Sequence, residues 1–346
     1  MHVRLCIASV FIESYRAYMR ASIDKPLLIN YIRNRGLDMK SLILNGTEVR
    51  LGIDKTVLGL KYPSATNEQL KEMTDDSKAK LKLTQKQFIA KKLYIQNVIK
   101  SACVFSKKSV NHYLTRYFIK SESDNTDVCE IYLGQAGTTH IINIKFNPSK
   151  LSMDGKAEFD GLLAVTFNDH FEEVYSNSVV SHIEFFIDVL DIDQDDYVIV
   201  DLSRRTATNY KETRYQGKRT SPLSLAYYNK GKQLNVDDSI TRIEARIERR
   251  DIKFQDLVES DLYNPFQQFI VISKKNLQLI ALDKGCPKIA DKIIEFGLFK
   301  AIKNPLARKS FATLIREHRA PWWDIHVFWQ THRELLQGLK PQNFLK

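Results

Sequence analysis

Six short runs of alternating apolar and polar residues, separated by turn-rich stretches, constrain the fold of this chain most. Between residues 129 and 248 they are CEIYLG, THIINIKF, SHIEFFIDV, DYVIVDL, SPLSLAYY and ITRIEARIE. Alternation with a period of two, bounded by turn signals, is typical of β-strands. Residues 159–178, between the second and third runs, have the apolar spacing of a helix that crosses over a sheet. The sequence therefore predicts an α+β fold with an antiparallel-sheet domain over residues 119–260.

The segments that flank these runs have helical patterning. Residues 63–118 are rich in Lys, Gln, Leu and Ala, and residues 261–346 return to helical spacing, whereas residues 1–62 have no pattern that assigns them. Within the first segment, IKSACVFSKKSVNHYL resembles a helix-turn-helix, which places its second helix in the major groove of DNA. On this interpretation Lys107, Lys108 and Asn111 face DNA. An amphipathic helical pair within a core is the alternative.

The net charge favours a polyanionic partner. The 346 residues include 52 Lys and Arg against 41 Asp and Glu, a formal net charge of +11, and nucleic acid is a common cellular polyanion. The four cysteines are scattered and form no Cys-x-x-Cys pair, so neither a zinc site nor a disulfide framework is indicated. The apolar run at residues 5–12 is too short to span a bilayer and lacks a small-residue cleavage site. We therefore expect a cytoplasmic protein that makes no membrane contact.

Strand parity separates the two faces of the third and sixth runs, because successive side chains point to opposite sides of a strand. In SHIEFFIDV one face is wholly apolar, and the other carries His182, Glu184, Phe186 and Asp188. In TRIEARIERR the polar face carries Arg242, Glu244, Arg246 and Glu248. A solvated face of alternating charge is one interpretation of each run. If the strands lie close together, the alternative is a carboxylate cluster that suits a hard cation, beside arginines that grip phosphate.

The fifth run ends in two adjacent tyrosines that parity places on opposite faces. Tyr227 shares the face of two leucines and is predicted to pack in the core. Tyr228 shares the other face with Lys230, whose ammonium group favours phenolate, the nucleophilic form of tyrosine. Upstream, YQGKRTS combines a glycine with Lys218 and Arg219, a set suited to holding a DNA phosphate. An ordinary basic hairpin loop is the alternative for that stretch.

In this order, HIEFFIDV, YQGKRTS, LAYYNKGKQL and RIEARIERRD resemble motifs of the rolling-circle replication initiation factors of plasmids and filamentous phages. That family has the succession R-I-D-x-A-x-D, Y-x-G-S-R-x-S, R-x-Y-[DEN]-K-G-x-[EQ] and R-x-E-x-x-x-[KR]. The resemblance covers residues 128–260 and keeps order and approximate spacing. It implies an origin-specific enzyme that nicks and closes DNA through a 5′-phosphotyrosyl intermediate, and so initiates rolling-circle replication of a plasmid or filamentous phage.

The resemblance also implies roles for single residues. The family's nucleophilic tyrosine corresponds to Tyr228, with Lys230 as a charge-stabilising catalytic residue. The carboxylates that hold a divalent cation, Mg²⁺ or Mn²⁺, correspond to Glu184, Asp188 and Glu244. The residues that grip DNA correspond to Lys218, Arg219, Arg242 and Arg246. Origin DNA is the implied partner; a host helicase and a single-strand-binding protein are expected only because the family uses them, and a homodimer is left open.

Three positions depart from the family pattern. His182 stands where the family commonly has Arg, Glu184 where it has Asp, and Ala226 where an Arg precedes the tyrosine by two. Glu184 keeps a carboxylate, whereas Ala226 removes a phosphate contact beside the nucleophile. The sequence therefore leaves open a second function, that of a sequence-specific DNA-binding replication or regulatory protein that does not cleave. A relaxase or a tyrosine recombinase fits less well, because recombinases place their tyrosine in a mainly helical domain.

Overall fold

An antiparallel sheet with helices packed against it organises the chain. The computed structural model describes residues 39–60, 65–111, 114–136, 139–167, 178–203, 205, 207–218, 221–248 and 252–339. Within these ranges the chain forms thirteen strands and ten helices, and the paired strands run antiparallel. The predicted α+β class is confirmed.

Eleven strands form one large sheet and two form a small one. The strands are β1 (Met39–Leu44), β2 (Thr47–Leu60), β3 (Val104–Asn111), β4 (Leu114–Lys120), β5 (Asp127–Ala136), β6 (Thr139–Phe146), β7 (Val179–Leu190), β8 (Tyr197–Asp201), β9 (Ala207–Tyr210), β10 (Thr213–Gln216), β11 (Leu223–Asn229), β12 (Ile240–Ile247) and β13 (Phe269–Ser273). The order across the large sheet is β3-β4-β5-β6-β2-β7-β12-β11-β10-β9, and β1 pairs with β2. β2 is therefore central, with β7 along one edge and β1 followed by β6 along the other.

The helices connect and cover the sheets. They are α1 (Asn67–Glu72), α2 (Asp75–Ala102), α3 (Met153–Phe167), α4 (Lys230–Leu234), α5 (Phe254–Glu259), α6 (Lys274–Asp283), α7 (Lys288–Phe296), α8 (Leu298–Ala301), α9 (Pro305–Glu317) and α10 (Ile325–Gly338). Helix α3 joins β6 to β7, which are parallel to each other because each is antiparallel to β2 between them. This is the predicted crossover helix, although it begins earlier than expected, and residues 168–177 of that prediction lie outside the described residues.

The main core lies on one face of the large sheet. Helices α2, α3 and α10 contribute buried side chains to it, and on β7 Phe185 meets Trp329 and His332 of α10 edge-on, with ring centroids 5.5 and 5.1 Å apart. Burying a large aromatic side chain stabilises a fold by about 1.5–3 kcal/mol, so these contacts hold α10 on the sheet. The opposite face of β7, β11 and β12 carries mainly polar side chains, together with the apolar Phe186 and Ala226.

A second core lies on the far side of the small sheet. Val198 and Val200 of β8, with Ile270 and Ile272 of β13, pack against buried residues of α6, α7 and α9. The intervening Ile199 faces the main core instead. Alternate residues of a strand face opposite ways, so β8 and β13 contact the helices of residues 274–317 on one side and the main core on the other.

The helix-turn-helix expected at residues 99–114 is wrong. Helix α2 ends at Ala102, Cys103 is extended, and Val104–Asn111 form strand β3, whose backbone pairs with β4 from Val104↔Lys120 onward. The stretch lacks Pro and Gly, which led to a helical prediction. The β-branched and aromatic residues in it favour a strand, and pairing with β4 overrides local propensity. Lys107 and Lys108 therefore lie on an edge strand and not on a recognition helix.

Several strands were not predicted. β1 and β2 come from the segment without an assignment, β9 and β10 are only four residues long, and β13 lies in the segment expected to be helical. None of the helices in the described ranges is long and apolar enough to cross a membrane.

Candidate active site

Strands β7, β12 and β11 lie side by side and bring the predicted site residues onto one face. Their register aligns three rows: Asp188, Arg242 and Tyr228; Phe186, Glu244 and Ala226; and Glu184, Arg246 and Ser224. The parity assignments therefore hold, because six of the predicted site residues share this face. The predicted core tyrosine, Tyr227, is buried on the other face and donates from its hydroxyl to the Gln194 carbonyl at 2.9 Å.

The Tyr228 hydroxyl is bound to a carboxylate. It donates to Glu244 Oε2 at 3.0 Å across the β11–β12 pair. Burial, and after it the charge of Glu244, raise the pKa of Tyr228 well above its ordinary value. The expectation that a nearby ammonium favours phenolate is therefore wrong. Glu244 stabilises the neutral phenol, so the group is protonated at neutral pH and needs a base in order to react.

Glu244 is held from its other oxygen by Arg246. The Arg246 Nε and Nη2 atoms donate to Glu244 Oε1 at 2.9 and 2.6 Å. Burial lowers the pKa of Arg246, but the charge and hydrogen bonds of Glu244 outweigh this and raise it. A charge-assisted contact of this kind is short and directional, so it sets the orientation of the carboxylate. Tyr228, Glu244 and Arg246 thus form a hydrogen-bonded series across two strands.

Arg246 also reaches Glu184 in the middle of β7. Its Nε lies 3.3 Å from Glu184 Oε1, and the same oxygen lies 2.8 Å from His182 Nε2. His182 Nδ1 in turn lies 3.0 Å from Glu248 Oε1. Burial raises the pKa of Glu184, but the His182 contact and the Arg246 charge outweigh it, so that the pKa falls below its ordinary value. His182 therefore links the carboxylates of Glu184 and Glu248.

Arg242 makes the second strong ion pair of the face. Its Nε and Nη2 atoms bind the two oxygens of Asp188 at 2.5 and 2.6 Å, and Nη1 lies 3.3 Å from Asp54 Oδ2. The guanidinium lies over the Phe186 ring, 3.9 Å from its centroid. Burial lowers the pKa of Arg242, but Asp188 outweighs it and raises the pKa above its ordinary value. Asp54 receives further hydrogen bonds from Asn147 and Ser149 at 2.8 and 3.2 Å.

The metal site predicted from Glu184, Asp188 and Glu244 does not fit this arrangement. Each of the three carboxylates is paired with an arginine, and Phe186 lies between the two acids of β7. In the part of the chain that the structure describes, no group of three or more His, Cys, Asp or Glu side chains is placed to hold a metal ion. The repulsion that a cation was expected to relieve is relieved by Arg242 and Arg246.

Comparison with known proteins adds a distant likeness among solved structures. No family model matches the chain, and no curated protein matches it. Among solved structures it is similar to a rolling circle replication initiator protein from Geobacillus stearothermophilus, with 12% sequence identity and a TM-score of 0.34, over 85% of this chain and 98% of that chain. A TM-score this low does not establish a shared fold, so the roles proposed below rest on the side chains described above.

The remaining predicted residues lie at the border of the site or far from it. Lys230 opens α4 directly after β11, and its Nζ donates to Gln233 Oε1 at 2.6 Å. Lys218 is exposed after Gly217, whose φ of +86° favours glycine. Arg219 lies outside the described residues. Lys107, Lys108 and Asn111 are on β3, seven strand steps from β11, or about 34 Å along the sheet at the usual strand spacing.

The sequence motifs did not predict Asp54 as a site residue, although its position in the sequence is unusual. The run VRLGIDKTVLGL, residues 49–60, alternates and is mostly apolar, so an acid within it is unusual for a buried strand. Asp54 lies at an irregularity in the pairing of β2 with β7, between Ile53 and Thr56. Bulges of this kind re-aim side chains and are frequent beside active sites. The central strand thus adds a carboxylate to the site from outside residues 119–260.

Proposed function

We propose that this protein is a strand transferase that nicks and closes DNA at a specific site, with Tyr228 as nucleophile and Glu244 as its base. One observation carries the proposal: the Tyr228 hydroxyl donates to Glu244 at 3.0 Å, while Arg246 orients that carboxylate. A nucleophile within hydrogen-bond reach of a base, itself oriented by a third group, is the arrangement that activates side-chain nucleophiles. The net charge of +11 and the motif resemblance over residues 128–260 support DNA as the substrate class.

In the proposed step the Tyr228 oxygen attacks a DNA phosphorus atom while its proton moves to Glu244. The new bond joins phosphorus to the phenol oxygen, and the bond from phosphorus to the 3′ oxygen breaks. The released 3′ oxygen takes a proton from water, which leaves a 3′ hydroxyl for priming synthesis. Because one ester bond replaces another, attack by a 3′ hydroxyl on the phosphotyrosyl bond rejoins a strand without ATP. Origin-directed initiation of rolling-circle replication would use both directions of this reaction.

Lys230 is the cation proposed to meet the scissile phosphate. Within the described residues it forms no ion pair, since its ammonium group donates to the neutral amide of Gln233. Burial and the charge of Arg242 lower its pKa, although the charges of Asp188, Asp54 and Glu244 oppose the shift, and a phosphate that approached would further favour the charged ammonium. Preorganised cations of this kind stabilise the charge that develops on phosphoryl oxygens. Arg242 and Arg246 are assigned to holding Asp188 and Glu244 in position first, and to contacting DNA second.

The test uses a supercoiled plasmid that carries the DNA flanking the gene, incubated with and without Mg²⁺ or Mn²⁺. Wild-type protein is expected to give nicked circles with protein covalently attached, and Tyr228→Phe to give neither. Tyr227→Phe is the matched control, because it removes the neighbouring hydroxyl and costs about 1 kcal/mol of stability while leaving the site intact. Nicking by Tyr228→Phe at the wild-type rate would overturn the assignment of the nucleophile.

A second substitution separates the base from the nucleophile. Glu244→Gln keeps the size of the side chain but cannot take the proton, so the nicking rate is expected to fall about 10²–10⁴-fold, the usual contribution of a general base. Binding of the same DNA should change much less. If Glu244→Gln nicks as fast as wild type, Glu244 is a structural partner of Arg246 and not the base.

A non-cleaving DNA-binding protein is the second candidate, and three observations favour it. Both site arginines are already neutralised by carboxylates, and the raised pKa of Tyr228 leaves no phenolate at neutral pH. Ala226 faces Glu244 and Tyr215 in place of a further cation. This candidate predicts salt-sensitive DNA binding without a covalent adduct, even on single-stranded DNA from the same region. Detection of the adduct would exclude it.

A further inference from the structure

The sheet surface opposite the main core continues from the candidate active site onto strands β3 to β6. Register aligns Ser106, Phe118, Glu130 and Lys145 in one row and Lys108, Arg116, Tyr132 and Asn143 in the next. On the same strands the buried residues of the core, such as Tyr117, Ile131 and Ile144, occupy the alternate positions. Phe118 and Tyr132 are therefore aromatic residues that the core does not require.

Arg116 stacks on both of these rings. Its guanidinium carbon lies 4.7 Å from the centroid of Phe118 and 4.9 Å from that of Tyr132. Arg116 and Lys145 share a single carboxylate, Glu130, which also accepts from the Tyr132 hydroxyl at 3.0 Å. The aromatic and charged side chains are half-buried, so one side of the group is open to solvent. Two cations against one acid leave the group positively charged.

The surrounding sequence adds more positive charge without any acid. From residue 77 to residue 121 the chain contains eleven Lys and Arg and no Asp or Glu. Lys108 of β3 is exposed on the same face as the stacked group, Lys107 is exposed but shares the parity of the core residue Phe105, and Lys80, Lys82 and Lys86 are exposed on α2. An acid-free basic stretch of this length is expected to attract a polyanion.

The stacked group and the candidate active site share one face of the sheet. Lys145 lies opposite Val57 of β2, Val57 lies opposite His182 of β7, and His182 contacts Glu184. From β4 to β11 there are six strand steps, about 29 Å along the sheet. A nucleic-acid strand bound at Tyr228 could therefore extend across β7 and β2 to Arg116 without leaving this face.

We propose that the outer face of β3 to β6, centred on Arg116, Phe118 and Tyr132, is a second nucleic-acid surface that binds single-stranded DNA by stacking. A guanidinium and two aromatic rings are planes on which unpaired bases stack, whereas the bases of a duplex are not accessible to them. Lys108 and Lys145, which share this face, would neutralise the phosphates. The choice of DNA rests on the proposed function, in which nicking releases a single strand next to this face.

Binding to a fluorescein-labelled, mixed-sequence single-stranded DNA of about twenty nucleotides, measured by anisotropy, tests the surface. Phe118→Leu and Tyr132→Leu are each expected to weaken binding roughly five- to 150-fold, the range for loss of one stacked base, and to leave duplex binding within twofold. Arg116→Gln should weaken it as well. The matched controls are Tyr210→Leu and Arg316→Gln, an exposed tyrosine beside Lys211 and an exposed arginine on α9, which should have little effect. Equal losses in test and control variants, or equal losses for duplex and single strand, would overturn the proposal.

Wild-type protein supplies an independent readout if a variant fails to fold. Single-stranded DNA that carries 5-iodouracil should crosslink under ultraviolet light to Phe118 or Tyr132, and crosslinks confined to other strands would overturn the proposal. If the protein binds this DNA by stacking but never nicks, the surface stands and the proposed function is refuted. If the protein nicks but shows no stacking-dependent binding, the proposed function stands and the surface is refuted. A matched RNA oligonucleotide that binds more tightly would contradict DNA as the ligand.

Discussion

Phe186 influences which charges can meet on the polar face. It separates Glu184 from Asp188 on β7, lies opposite Glu244 on β12, and supports the guanidinium of Arg242 at 3.9 Å. Glu244 is therefore the single carboxylate among the three residues of this row, and the acids pair with arginines instead. Gly52 lies opposite Phe186 on β2, and a Cβ there would come within 2.6 Å of Phe186 Cε1. The missing side chain at position 52 makes room for the ring.

We expect Gly52→Ala to displace Phe186 and loosen Arg242, at a cost of about 1–3 kcal/mol in the free energy of unfolding. Urea unfolding measures the cost, and the nicking assay should show reduced activity. Gly338→Ala is the control, because no atom lies within 4 Å of the added Cβ in helix α10. Its stability should be unchanged or slightly raised. A neutral effect of Gly52→Ala would mean that Phe186 moves freely and does not hold Arg242.

At the scale of elements, β3 shows how pairing decides between helix and strand. It follows helix α2 directly in the chain, but the backbone of Val104–Asn111 is satisfied by β4. Phe105 points to the main core, where its ring meets Tyr117 edge-on at 5.6 Å, and Val104 points outward and is 45% exposed. Alternation between neighbours is the property that separates a strand from a helix, on which adjacent residues lie about 100° apart.

Alanine substitutions at these two neighbours test the strand. Phe105→Ala removes a partly buried ring and is expected to lower the free energy of unfolding by about 2 kcal/mol, somewhat less than for a fully buried ring. Val104→Ala should change it by less than about 0.5 kcal/mol, because the side chain is exposed. Urea unfolding of both variants gives the comparison. A large loss at Val104 with none at Phe105 would contradict the assigned orientation of β3.

For the whole molecule, His332 ties the last helix to the central sheet. Its two ring nitrogens lie 2.8 and 3.1 Å from the carbonyls of Phe328 and Phe186, and a neutral imidazole donates to only one of them. Burial lowers the pKa of His332 from an ordinary value of 6.5 to about 4, although these carbonyls oppose the shift. His332 therefore stays neutral in the folded protein over the pH range from about 6.5 down to about 4, in which the same residue of the unfolded chain takes up a proton.

Stability should fall as the pH is lowered from 6.5 toward 4, because the unfolded state binds more protons than the folded state in that window. The contribution of His332 is on the order of 3 kcal/mol across the window, from a shift of about 2.5 pH units at 1.36 kcal/mol each. Urea unfolding at pH 7.5 and pH 4.5 measures it in wild type and in His332→Gln, which should show a shallower dependence. His326→Gln, an exposed change on the same helix, should keep the wild-type slope. Equal slopes in all three would show that other groups cause the pH dependence.

The sequence by itself determined the strand-rich middle of the chain and which side chains share a strand face. Local period and parity were enough to place Tyr227 in the core, Tyr228 on the polar face, and Glu184, Asp188, Arg242, Glu244 and Arg246 beside it. Only the tertiary structure decided which of these groups meet, because register across strands depends on contacts between residues far apart in the chain. It inserted β2 with Asp54 at the centre, converted residues 104–111 into an edge strand, and paired each predicted metal ligand with an arginine. Strand parity predicts which face of the sheet a side chain lies on, but it does not predict which side chain it contacts.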